Sequence, residues 1–456
     1  MRRHRSLGFL GAAAVVAATL AAAGCSSSSS NSSSTTAPTT SAATSAAPAT
    51  SAAAPSPSGS GGGLGAQSVT NYLTYTGGKA GKADTSLPPV TIGYVNQQGG
   101  PFAVGLHATD GAEMAVKYIN AELGGVDGHP LALETCFIAS AEEEGTGCAQ
   151  KFLANKSIDT IAMGGVVIGV QSFYATLGGK LPVFEGVAPL PIAGAQHNTA
   201  VLFGDAIHVL GPMGTYARDV LHAKTGVVLY PNTSTDTPGA LADEAALKAA
   251  GLTVKMGPYP PNATDLTGVL ASTGAASADI VIPNVDASAC VNMAKALLQQ
   301  GITDAKKIVS PPLCLNGQVA AGLGGDFPKW TYLIASSLFG DTTDPGMIEY
   351  MKLAQTYSTP ANAPDPWNIV DFGEIMTVDK ILNEVGYANL SPDKILAAVK
   401  AFTGPQALGA PQLACGKYAN APGICNDRSQ FFTYGGKNHW IKSAGWTQPP
   451  AGMAGT

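Results

Sequence analysis

The chain has 456 residues, 45% of them hydrophobic and 12% charged, with a formal net charge of −6. That length exceeds one ordinary domain and leaves apolar material for two cores. Arg2, Arg3 and Arg5 stand in a leading segment without acids, so removing those three charges takes −6 to −9 for the remainder, which argues against nucleic acid or an anionic membrane surface as partner.

After the arginines an apolar run from Leu7 to Ala23 completes the layout of a secretory signal peptide. It is shorter than the roughly 20 residues a membrane-spanning helix needs. The run closes in Leu20-Ala21-Ala22-Ala23-Gly24-Cys25, which resembles a bacterial lipobox, with Ala22 where Leu is commoner. That resemblance implies a lipid on Cys25 and anchoring at the outer face of the bacterial cytoplasmic membrane. A cleaved signal followed by a chance Cys is the plain alternative. From Ser26 to Gly65 the chain holds only Ser, Thr, Ala, Pro, Gly, one Asn and one Leu. Such a segment cannot bury enough apolar surface to offset its ordering entropy and is expected to be a flexible tether spanning roughly 35 Å.

Leu87-Pro88-Pro89 leads into the folded part. Val90 to Val95, β-branched and aromatic, predicts a buried strand. A Gly-rich loop from Gln97 to Gly105 follows, and Gly111, Met114, Ala115, Tyr118, Ile119 and Leu123 recur at helical spacing until Gly124-Gly125. Further strands are predicted at 131–137, 160–163, 182–184 and 200–203, with helices at 145–155 and 169–177. A second series places strands at 227–230, 254–256, 280–283 and 308–310, and helices at 211–223, 239–250, 265–274 and 288–300. Two runs of alternating strand and helix imply two parallel sheets with helices on both faces; one sheet of eight or more strands is the alternative. After an extended stretch at 333–338 come helices at 346–357, 367–385 and 392–402. The last part reads as a hairpin, 430–434 with 439–442, turning at Gly435-Gly436.

Apart from Cys25 there are six Cys: Cys136, Cys148, Cys290, Cys314, Cys415 and Cys425. Six allow fifteen pairings, and loop closure favours the three short ones, Cys136–Cys148, Cys290–Cys314 and Cys415–Cys425. Zinc is the rival reading, but no CxxC pair and no His at ligand spacing supports it. The chain lacks HExxH, GxSxG, GxxxxGK[ST] and a GxGxxG after a strand. His107, His208 and His222 are scattered, Glu142-Glu143-Glu144 sits where it complements a helix dipole, and Asp365-Pro366-Trp367 reads as a helix start. No enzyme activity, cofactor or metal is therefore expected.

The motif Ile92-Gly93-Tyr94, Gly100-Pro101, Gly111-Ala112-Glu113-Met114-Ala115-Val116, Ile119-Asn120 and Leu123-Gly124-Gly125-Val126-Asp127-Gly128 resembles the type I periplasmic binding proteins. Within them it is most similar to the leucine/isoleucine/valine-binding family that feeds ABC importers. The resemblance covers roughly residues 90 to 445, and Cys136, Gln171 and the lipobox also fit it. It implies an α/β fold of two doubly wound parallel-sheet lobes joined by a three-crossing hinge near 205–210, 337–341 and 404–428. The implied organisation is a signal peptide at 1–24, lipidated Cys and tether at 25–88, a first lobe of 89–206 with 338–410, a second of 207–337 with 411–446, and a tail at 447–456.

Ligands in such open sheets sit beyond the carboxyl ends of the strands. The family holds an amino-acid carboxylate with N–H groups and hydroxyls at the start of the third helix, a segment placed here at Gly164 to Gln171, where hydroxyls are missing. Its next motif falls on Val187 to Leu190, also without a polar partner. The acid that meets an ammonium falls near Pro312 or Leu313, leaving Asp236 or Asp286 as substitutes. The candidate ligand-binding residues are Phe102, Gly165, Val166, Ala188, Pro189, Tyr230, Asn232, Asp236, Asn284 and Asp286; for the run from Val166 to Ile168 the plain alternative is a buried strand end. The implied protein is a monomeric receptor for a small organic solute, an amino acid or a largely apolar molecule, handing it to a membrane permease. A sensor on the same fold is the alternative, and a secreted hydrolase a remoter one.

Overall fold

Apolar runs too continuous for a half-exposed strand become parallel strands covered on both faces. The computed structural model of the protein describes residues 68–100, 104–234 and 236–453; the signal segment, Cys25, the tether and Phe102 lie outside them. The first sheet contains β1 (Val90–Gln97), β2 (Leu131–Ile138), β3 (Ile158–Met163), β4 (Val183–Ala188) and β5 (Thr199–Asp205). All are parallel, in the order β2-β1-β3-β4-β5.

In the second lobe β6 (Thr225–Pro231), β7 (Thr253–Tyr259) and β8 (Ile280–Pro283) lie parallel in the order β7-β6-β8. A bridge from Val281 to Ile308 carries this sheet toward β9 (Val309–Ser310). Beyond it lie β10 (Thr331–Ile334), β11 (Ser429–Gly436) and β12 (His439–Thr447). β9 and β10 are parallel, but β10–β11 and β11–β12 are antiparallel. The second lobe is thus parallel at one side and closed by the expected hairpin at the other. The hairpin turns at Lys437-Asn438, one step after the glycines; both residues have positive φ, 52° and 59°, as the tightest twist-matched turn requires.

The helix Pro366–Val385 is buried on nearly every side, which its mostly apolar sequence permits. It packs on helix Ala108–Glu122 so closely that a Cβ on Gly111 would lie 2.2 Å from the Asn368 carbonyl oxygen. The end of the stretch assigned to the tether is instead folded: it contributes a short helix, Tyr72–Thr76, whose Tyr72 ring meets Phe372 edge-on at 5.6 Å.

Three chain crossings join the lobes, after β5, after β10 and before β11. They are cross-linked: Asn426 Nδ2 donates to the Phe203 carbonyl (3.1 Å), Ser429 Oγ to Val209 (2.9 Å) and Gln430 Nε2 to Ser336 (3.2 Å). Residues 411–425, expected in the second lobe, pack on the first instead. Ile424 bridges to Val201 of β5, and Leu413 and Cys425 join the first-lobe core. The third crossing is correspondingly short, at 426–429.

The three short-loop disulfides form: Cys136–Cys148, Cys290–Cys314 and Cys415–Cys425. Cys290–Cys314 ties helix Ala287–Gln299 to the turn after β9 across a sequence separation of 24. Closing a loop of that length restricts the unfolded chain by about 3 kcal/mol. The double variant Cys290→Ala/Cys314→Ala should therefore unfold at lower urea by that amount; an unchanged midpoint would show the bridge to be energetically idle.

Candidate ligand cleft

Each lobe gathers loops at the carboxyl ends of adjacent parallel strands. In the first lobe β1 neighbours β3, so the loop after Gln97 lies beside the loop after Met163. Gly165 marks their closest approach: a Cβ there would sit 2.8 Å from Gly105 N and 2.9 Å from Cη2 of Trp367. Trp367 is held by its helix start, with Asp365 Oδ1 accepting its N–H at 2.9 Å. Sequence reasoning saw the helix start but not that its indole reaches the strand-end loops. The neighbouring Leu106 side is exposed, at 61%.

Three donors of the turn at 164–169 go to side chains of neighbouring segments. Gln97 Oε1 accepts from Val167 N (2.8 Å) and Ile168 N (2.9 Å). Glu142 Oε2 accepts from Gly169 N (2.7 Å), and its Oε1 from Ser172 N (2.9 Å). The Ser172 N–H is the largest influence on Glu142 and, helped by the Gly169 N–H, lowers its pKa below the ordinary glutamate value although burial opposes it. Glu142 thus serves the start of the next helix, Val170–Leu177, while Glu144 takes the N–H groups of Ala139, Ser140 and Ala141 at the start of its own.

Of the first-lobe candidates, Val166 is fully buried in the core with Val170 and Phe173, so its side chain packs rather than faces the cleft. This is the buried strand end that the sequence allowed. Ala188 is also buried in that core, while Pro189 is half-buried at the end of β4. Val167 and Ile168 are partly exposed, with Ile168 packed against the edge of the same core.

In the second lobe β6 and β8 are neighbours, which brings the loops at 231–236 and 284–286 together. Tyr230 packs in the core with Val228 and Ala240. Asn232 is exposed. Asp236 opens helix Asp236–Ala249, is bonded by the Thr233 hydroxyl, and is buried. Asp286 caps helix Ala287–Gln299, its Oδ1 accepting from Ala289 N (2.9 Å) and Ser288 Oγ (2.6 Å). Asn284 turns inward and donates to Asp243 Oδ2 at 2.6 Å, and burial pushes the Asp243 pKa up to about 7. Tyr259, missed in the sequence, has a buried hydroxyl without a hydrogen-bond partner. Burial first, then the charges of Asp236 and Asp286, push its pKa up. Leu313, after β9, is 52% exposed.

Behind the first-lobe loops lies a group of buried carboxyls that the sequence did not announce. Tyr94 donates to Asp371 Oδ1 (2.7 Å), Tyr174 to Glu185 Oε2 (2.9 Å), and Met163 N to Glu374 Oε1 (3.3 Å). Burial is the largest influence on each, raising Glu185 and Asp371 to about 8 and Glu374 well above the ordinary carboxyl range. A surface pocket of 500 Å³ is lined by Asp110, Glu113, Lys117 and Tyr357, which belong to two helices and not to the strand-end loops. Among the described residues no group of His, Cys, Asp or Glu is placed to hold a metal, and no helix is long and apolar enough to cross a membrane.

The family profile described as Periplasmic binding protein matches residues 89–419. No curated protein matches the chain. Solved structures share the fold at low identity. An ABC transporter substrate-binding protein from Sphaerobacter thermophilus has a TM-score of 0.64 at 14% identity, covering 79% of this chain and 98% of that one. A leucine binding protein from Thermotoga maritima has 0.60 at 13%, covering 79% and 99%. A solute binding protein of an ABC transporter from R. palustris, in complex with 4-hydroxybenzoate, has 0.61 at 15%, covering 80% and 99%. With two sheet lobes joined by three crossings and the family profile running over most of its length, the chain belongs to the type I periplasmic binding protein family.

Proposed function

We propose that the protein is the extracytoplasmic solute receptor of an ABC importer, anchored through a lipid on Cys25, and that it captures a small, largely apolar organic molecule between its lobes. The observation that carries this reading is the hinge. Three cross-linked crossings join two lobes whose strand-end loops are each brought together by neighbouring parallel strands. Two such lobes closing on a solute by hinge motion is the expected behaviour of this geometry. The exposed Leu106 and Leu313, and the partly exposed Val167, Ile168 and Trp367, favour an apolar solute. The neighbours named for leucine and for 4-hydroxybenzoate are consistent with a compact organic ligand on this fold. A tethered receptor also keeps a high local concentration beside its permease.

A metabolite panel read by thermal shift and by intrinsic tryptophan fluorescence tests this. A solute present at a hundred times its Kd should add about 2.7 kcal/mol of stability. A broad panel, together with mass spectrometry of the purified protein, that finds no bound small molecule would refute the receptor reading.

A further inference from the structure

We infer that Glu142 and Gln97 are specificity-determining residues that close the first-lobe wall to carboxylates, and that the solute is a neutral, largely apolar molecule. This deepens the receptor reading and rests on it for the ligand. The N-terminus of a helix is a natural anion site, because its N–H groups point outward and the peptide dipoles favour negative charge. At helix Val170–Leu177 that place is already taken by the chain's own carboxylate. Glu142 bonds Gly169 N and Ser172 N through separate oxygens, and the Ser172 hydroxyl donates to the Glu142 carbonyl at 2.5 Å. The two preceding donors, Val167 N and Ile168 N, both go to Gln97 Oε1. A ligand carboxylate would have to displace an acceptor held on the same chain and then remain beside its charge.

In the second lobe the strand ends offer few backbone donors. β6 and β8 end on Pro231 and Pro283, β7 runs into Pro260, and β9 into Pro311. A proline has no N–H to offer. The next N–H groups are used: Asn232 N donates to Tyr259 O (2.8 Å) and Asn284 N to Leu229 O (3.0 Å). Asp236 and Asp286 add negative charge at the same ends, which further disfavours an anion. Exposed apolar side chains include Leu313 after β9 and, beside the first-lobe loops, Leu106.

Acetate is the probe for the occupied anion site. Glu142→Ala should lower the Tm by several degrees, and acetate should restore it saturably where chloride at equal ionic strength does not. Wild type should show no such acetate effect. Glu142→Gln, which keeps an acceptor but loses the charge, should fall between the two and guards against an Ala variant that does not fold. On wild type, L-leucine and 4-hydroxybenzoate should give no saturable shift, whereas 4-hydroxybenzoate should gain affinity at least tenfold in Glu142→Ala. Overturning results are an Ala variant of unchanged Tm, a destabilised one that acetate does not rescue, or wild type binding either carboxylate as tightly as the variant does. Acetate rescue needs no solute, so rescue without any bound metabolite would sink the receptor reading while leaving the occupied anion site intact.

Discussion

The Tm of the purified protein is expected to fall as the pH rises from about 5 to about 8, the reverse of a protein stabilised by ionised carboxylates. Glu185 and Asp371 are raised to about 8 and Glu374 and Asp379 well above their ordinary values, in each case chiefly by burial. An unfolded chain binds protons on such groups only below about pH 4.5. Between that point and the folded pKa, the native state holds protons that the unfolded state has released. Stability therefore falls with rising pH, by up to about 1.4 kcal/mol per pH unit for each group. Below about pH 4 these groups are protonated in both states and the slope vanishes; carboxylates lowered by hydrogen bonds, such as Asp279, then lose their contribution. Glu185→Gln keeps an oxygen for the Tyr174 hydroxyl and removes one proton from the balance. It should flatten the slope and raise the Tm near pH 8 while changing it little near pH 5. A wild-type Tm that is constant or rises across this range would show that water or a cation compensates these acids.

Where local pattern decided structure, the sequence was readable. The strands of the first sheet and the closing hairpin follow from residues within one segment, as do the short-loop disulfides. The candidate site depended on partners far apart in sequence. Glu142 reads as a helix-dipole residue because its real partners, Gly169 and Ser172, belong to the next βα unit. Gln97 looks like a loop opening until β1 and β3 are known to be neighbours. Asp371, Glu374 and Asp379 sit in a pattern that ordinary helix reading assigns to a wet face, yet the helix is buried all round. Residues 411–425 carry no periodicity, and it is the bridge from Ile424 to Val201 and the packing of Leu413 and Cys425 that show them staying with the first lobe. Of the ten expected ligand residues, Val166, Ala188 and Tyr230 proved to be core, because the strand ends and the turn after β3 are packed over on both faces.

Gly204→Ala is expected to cost on the order of 4 kcal/mol, from backbone strain and overpacking together. Gly204 lies at the end of β5 where the first crossing begins, with φ at +97°. A Cβ there would stand 2.1 Å from Val209 Cγ1 and 2.9 Å from the Asn426 carbonyl oxygen. Val209 belongs to the first crossing and Asn426 to the third, so the added methyl would wedge apart two segments that Asn426 and Ser429 hold together. Reduced freedom of the unfolded chain works the other way, but by only about 0.4–1 kcal/mol, so destabilisation wins. Val209→Ala in the same chain should recover part of the loss by removing the nearer clash, leaving the strain at φ. Urea unfolding of the single and double variants measures both parts. A single variant as stable as wild type, or a double variant no better than the single, would show that the crossings are looser than their hydrogen bonds indicate.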